Sequence, residues 1–201
     1  MPRSRFLLLL GVTVPAIACA LVGLTHPMRL TADSAHYWQN MHIVLIFLFP
    51  LIGLAPWLIA RRVDRRLGWI AALGGYGFAT LYTALDILAG VAAGALVLGG
   101  EADATGLVYA IARVLARIGV WSLIAAVVVA GVAAILRARL AAVPGLVLAA
   151  VGAYLVYPGH IYFPVGTASM GLLAAGFALL ALAVTRVPAT TPALDGAATA
   201  G

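Results

Sequence analysis

The chain predicts an all-α, polytopic integral membrane protein with six transmembrane helices and both termini on the cytoplasmic side. Three observations carry this. Its 201 residues are 65% hydrophobic and only 9% charged, where soluble domains run about half apolar and a quarter charged. The apolar residues fall in runs long enough to span a bilayer, which takes about 20 residues at a rise of 1.5 Å. The basic residues, 12 arginines and no lysine, collect at alternate ends of those runs. The net charge of +6 is therefore the cytoplasmic bias of a membrane protein rather than a nucleic-acid footprint, and no nucleic-acid partner is expected.

Residues 1–186 are expected to form one bundle. After a short basic head (Arg3, Arg5), Phe6 to Leu24 is an unbroken apolar run of spanning length. Ala18-Cys19-Ala20 loosely resembles a signal cleavage region, but the run is long for a signal core and further spans follow, so a retained first helix is expected. The lone cysteine allows no intramolecular disulfide. A second helix, capped by Thr31, Asp33 or Ser34, spans Met41 to Ala60 and carries Pro50 and Pro56, which remove backbone hydrogen bonds and favour kinks. It ends at the densest charge cluster, Arg61-Arg62-Val63-Asp64-Arg65-Arg66.

The third run, Leu67 to Gly100, exceeds one span. About 20 residues from Leu67 reach Asp86 near the far boundary; the remainder, with Gly90-x-x-x-Gly94, is expected to extend as a closely packed piece or to turn back after Gly90. Residues 99–106 read as a loop. The fourth span ends near Leu136, before the basic turn of Arg137 and Arg139. Counting back about one thickness reaches Arg117, so Asp86 and Arg117 fall at similar depth on antiparallel neighbours. A fifth span covers Ala141 to Tyr157, with Gly145, Ala149 and Ala153 as a small-residue stripe. Residues 158–164 make a tight aromatic turn, and a sixth span covers Val165 to Thr185. The tail, residues 187–201, is rich in Pro, Ala and Thr and is expected to be disordered on the cytoplasmic side.

Six spans put nine arginines on the inner side against Arg29, Arg113 and Arg117 outside, the distribution of a multi-pass plasma-membrane protein. Trp57 and Trp69 flank the inner basic loop, and Trp38, Tyr157 and Tyr162 lie at the outer ends as interfacial anchors. All four histidines then face outward.

Two sets of residues suit chemistry. Tyr109, Arg113, Arg117 and Trp121 recur every four residues on one helical face, and Tyr82 and Asp86 share another. They predict an Asp86–Arg113 or Asp86–Arg117 ion pair at the lip of a hairpin, or a basic pocket for an anionic group. The second set is histidine. Imidazole ligates haem iron, copper and zinc, and thioether sulfur suits copper(I). His26-x-Met28 and Met41-His42 bring both donor types to the outer rim, and His42 can meet His160 across the bundle. His36 lies about 240° around the helix from His42 and cannot share its site.

No catalytic residues are expected. No Ser or Cys is arranged with a base, there is no glycine-rich phosphate loop and no HExxH motif, and no paired acids sit within a span. The expected function is a non-catalytic accessory or assembly protein whose polar outer rim recognises lipid or a membrane-protein partner. A haem- or metal-binding (copper) redox protein using His42, His160 and His26 is the rival, and a small-solute transporter with Pro50 at a broken helix is the third.

Overall fold

The structure, a computed structural model, describes residues 3–186, and these are almost wholly helical. Helix α1 runs Arg3–Leu24, α2 Ala35–Ala60 and α3 Arg65–Leu85. A π-helical segment, Asp86–Ala92, carries α3 into α4, Ala93–Leu98, so the long third run extends rather than turning back. Helix α5 is Thr105–Ala138, α6 is Val143–Gly159 and α7 is Val165–Arg186. The expected tail, residues 187–201, lies outside the described residues.

Among the described residues, five apolar helical stretches are long enough to cross a membrane: Arg3–Leu24, Ala35–Ala60, Arg65–Leu98, Ala102–Gly159 and Val165–Arg186. The fourth is two rods, because the chain reverses at a 3-10 turn over Arg139–Ala142, with Arg139 at φ 52°. Six rods result. Each packs on the next in sequence, and α7 closes the ring against α1.

Apolar periodicity explains how each rod is turned. In α2 the buried residues Trp38, His42, Leu45, Phe49, Ile52, Pro56 and Ile59 recur at alternating spacings of four and three, which keeps one face toward the neighbours. The helix stays continuous through both prolines. In α6, Gly145, Ala149, Gly152 and Ala153 are buried against α7, as the small-residue stripe predicts; a Cβ on Gly152 would lie 2.8 Å from the Leu173 nitrogen. The aromatic part of the core centres on Phe49, whose ring is 6.1 Å from Phe78 and 4.6 Å from Tyr82.

The two ends of the ring differ in chemistry. At one end Ser4, Arg5, Arg62 and Thr185 surround a common depression, and Arg61, Arg62, Arg65 and Arg66 are exposed. There Asp64 caps α3, its Oδ1 accepting from the Leu67 N–H at 2.8 Å, and the Arg61 guanidinium sits 4.3 Å from the Trp57 ring centre. The opposite end gathers the last turn of α1, the start of α2, the π segment and the tight turn after α6.

One cap differs from expectation. Ser34 stands at the N-cap of α2, but its hydroxyl makes no capping bond. It accepts from Thr31 N–H at 2.9 Å and donates back to the Arg29 carbonyl at 3.1 Å. These bonds fold residues 29–34 back on themselves.

Candidate functional site

Three of the four histidines meet at that second end. His26 follows the last turn of α1, His42 lies on the buried face of α2, and His160 terminates α6. Ring centres are 5.4 Å apart for His26–His42, 5.9 Å for His26–His160 and 6.0 Å for His42–His160. One ring nitrogen from each lies within 4.8 Å of the other two. His36 is exposed on the other side of α2, as the helical wheel requires.

Local structure fixes each ring. His26 Nδ1 is 2.8 Å from the Pro27 carbonyl, and His42 Nδ1 is 2.8 Å from the Trp38 carbonyl. Against a carbonyl, which only accepts, both nitrogens must carry the proton and donate, so the lone pair is on Nε2. His160 Nδ1 is 3.0 Å from the Tyr82 hydroxyl. The Nε2 atoms of His26 and His160 are buried with no hydrogen-bond partner. His160 also sits at φ 45°, a strained conformation for a residue with a Cβ, of the sort that persists where surrounding structure enforces it. Here the enforcement is the tight turn: Tyr162 N–H donates to the Gly159 carbonyl at 2.8 Å and Gly166 N–H to the Tyr162 carbonyl at 2.6 Å. Gly23 of α1 leaves no space for a Cβ beneath the Ile161 carbonyl, which brings His26 up against His160.

The π segment supplies the opposite wall. A Cβ on Gly90 would overlap the His42 ring, and one on Gly94 would overlap the Gln39 side chain. The Gly90-x-x-x-Gly94 spacing thus does provide close approach, with α2 as the partner. Trp38 Nε1 donates to the Ala89 carbonyl at 2.9 Å and Gln39 Nε2 to the Val91 carbonyl at 3.0 Å. These side chains bond carbonyls within the π segment, a local irregularity often found at functional sites.

Asp86 opens the π segment and corrects a prediction. No arginine lies within ion-pair distance of it among the described residues; the one basic group that close is the neutral His160 ring, Oδ1 to Nε2 at 3.9 Å. It is fully buried, and neither carboxylate oxygen has a hydrogen-bond partner. The expected depth match with α5 is consistent with the packing of α3 on α5, but the rotation is not. Tyr82 and Asp86 turn together toward the interior, whereas the buried face of α5 is Ala112, Gly119, Leu123 and Ala126. Arg113 and Arg117 fall off that face and are exposed. They also line different clefts. Tyr82, Tyr109 and Arg113 share a cleft of about 410 Å³ with His42 and His160, while Arg117 and Trp121 line a second with Tyr154.

The sulfur donors do not join the histidines. Met28 is 68% exposed, and Met41 is buried in the core and lines a separate groove with Val22 and Tyr37. Cys19 is buried in the core.

Burial sets the protonation of the loop histidines. It lowers the pKa of His26 below 6.5, partly offset by its bond to Pro27. It lowers His160 further, with His42 and His26 adding to the effect. Neutral imidazoles with a free lone pair are the form that binds metal ions.

Trp38, Gln39 and Tyr162 escaped the sequence reading as site residues. The stripe Trp38–His42–Leu45–Phe49 was the available signal for Trp38, since it places His42 on a core face; nothing local marks Tyr162. No family model matches this chain, and neither a curated protein nor a solved structure matches it.

Proposed function

We propose that this chain is a six-span plasma-membrane protein, its termini cytoplasmic, that holds a single zinc or copper(II) ion between His26, His42 and His160 at its outer end. The observation that carries the reading is the state of the three rings. Each has one nitrogen engaged by a carbonyl or a hydroxyl, and one nitrogen of each falls within a shared 4.8 Å. Imidazole ligands of metal ions are held by such outer hydrogen bonds, which fix the tautomer and aim the ring.

The dimensions suit an ion. The centre of a triangle with 4.8 Å sides is about 2.8 Å from each corner, and a zinc–imidazole bond is about 2.0–2.1 Å. Closure by less than 1 Å at each ring (about 0.7 Å) completes three bonds. Asp86 adds a second argument. A buried carboxyl with no hydrogen-bond partner is costly to desolvate, and a divalent cation beside His160 would let it ionise and would offset that cost. Three nitrogens with a carboxylate nearby and no sulfur favour zinc or copper(II) over copper(I). A haem is a poorer fit. It needs an open slot between axial ligands, and His26, Phe49 and Tyr82 crowd His160 with ring centres at 5.9, 5.5 and 5.6 Å.

A recognition rim would present its polar groups to a partner. His26, His42 and Asp86 are instead 6%, 2% and 0% exposed, which favours a buried metal site over an accessory role. The arginine-rich end supports an outward orientation for the histidine end. Metal analysis of protein purified in neutral detergent tests the reading: one zinc or copper per chain is expected, lost in the His26→Ala/His42→Ala/His160→Ala variant. A folded protein that keeps no metal after loading, or a triple variant that keeps it, would refute the site.

A further inference from the structure

A metal bound by three histidines has coordination positions left over, and the structure leads from the site to the surface. The cleft that His42 and His160 line is walled by Tyr109, Tyr157 and Tyr162, with Arg113 beside them. Arg113 is exposed and has no acidic partner among the described residues. Beside it, Ile111 and Val114 of α5 and Tyr157 of α6 are large apolar or aromatic side chains with high exposure. A cationic group in such surroundings favours an anion carried on an apolar body, because the anion offsets the guanidinium and the body covers the wall.

We infer that this cleft admits an amphiphile with a single carboxylate or phosphate head, whose oxygen takes the open position on the metal while Arg113 holds the head and the aromatic walls hold the tail. This rests on the metal reading above. The head belongs next to two positive charges, the ion and Arg113. Asp86 is fully buried and is not part of the cleft lining, so the anion need not approach it along the wall. Tyr82, whose hydroxyl is taken by His160 at 3.0 Å, forms the floor rather than a contact to the head.

Cobalt(II) loaded into the detergent-purified protein reports both layers of the argument through its visible bands. If the protein binds no cobalt at its histidines, the metal reading fails. If the bands form, octanoate and acetate are the probes. Octanoate is expected to shift the bands at a concentration at least about tenfold below that needed for acetate, since its chain leaves water for the aromatic wall. Arg113→Gln is expected to weaken octanoate about tenfold through loss of a charge-assisted contact while cobalt affinity stays unchanged. Arg117→Gln, in the neighbouring cleft, is expected to change neither. Bands that respond to neither anion would overturn the inference and mean a closed coordination sphere. Equal responses to acetate and octanoate, or an unaltered octanoate response in Arg113→Gln, would overturn it as well.

Discussion

The two ends of the bundle handle polar side chains in opposite ways. At the arginine end, Arg61, Arg62, Arg65 and Arg66 project into solvent, and the nearby carboxylate, Asp64, caps a helix. The exposed charges there are solvated or bonded to backbone, and among the described residues only Arg5 Nε is buried there without a hydrogen bond. At the histidine end most charged side chains are exposed as well, but one carboxyl, Asp86, is inside. Asp86 is buried without a hydrogen bond, and His26 and His160 each carry a buried nitrogen with no partner. Among the described residues, four of the five buried side-chain atoms without a hydrogen bond are at the histidine end, and such atoms cost free energy that a ligand can offset.

Substitutions of the ligands should separate the ends most. His42→Ala and His160→Ala are expected to weaken zinc binding by more than the roughly 100-fold typical of outer-shell losses, measured by competition with a chromophoric chelator. Arg62→Ala is expected to leave that affinity unchanged. An equal loss in all three would dissolve the contrast.

Next in size is the glycine that makes room for His42. Gly90→Ala places a methyl group on the imidazole; overpacking of this kind costs about 1–3 kcal/mol and should lower both the melting temperature and zinc affinity. Gly171 of α7 has no atoms within 4 Å of an added Cβ. There alanine should raise the melting temperature, by up to about 1 kcal/mol of stability, because it lowers the entropy lost on helix formation.

Asp86→Asn sharpens the argument about unsatisfied charge. It is expected to leave the melting temperature of the metal-free protein little changed, since a buried partnerless carboxyl is replaced by an amide of the same shape, and to weaken zinc about 10–100-fold. Destabilisation of the metal-free form would show that Asp86 is satisfied by something other than a metal.

The smallest effect is that of pH. Burial keeps the folded-state pKa of His26 below its ordinary 6.5, so the unfolded chain takes up its proton first as pH falls. Stability of the metal-free protein should be whole above pH about 6.5 and decline as pH drops from there through the folded-state value. His26→Ala should flatten that slope, and no arginine substitution at the other end should alter it.

Much of this was legible in the chain. The hydrophobic runs, the arginine bias and the loop signals state how deep each residue lies and at which end it emerges. The three site histidines were singled out together as outer-rim donors, and His36 was excluded by angle. The depth of Asp86 was also readable. Its partner was not, because a run such as Leu67–Gly100 is apolar on nearly every side and hydropathy then says little about rotation. The expected pairing with Arg113 or Arg117 needed those residues to face α3, and the small residues of α5 took that face instead. The sulfur donors failed for a related reason, since closeness in sequence does not put Met28 and His26 on one side of a loop.

What the sequence alone determined is a membrane helical protein with a basic end and a histidine end, for hydrophobic length and charge bias are properties of single segments. What only the tertiary structure decided is which side chains share a space: His26 beside His160 across 134 positions, His42 over Gly90, and Asp86 turned inward at the start of a π segment. Those juxtapositions depend on how rods rotate and approach one another, and packing between segments sets that, not the polarity of any one of them.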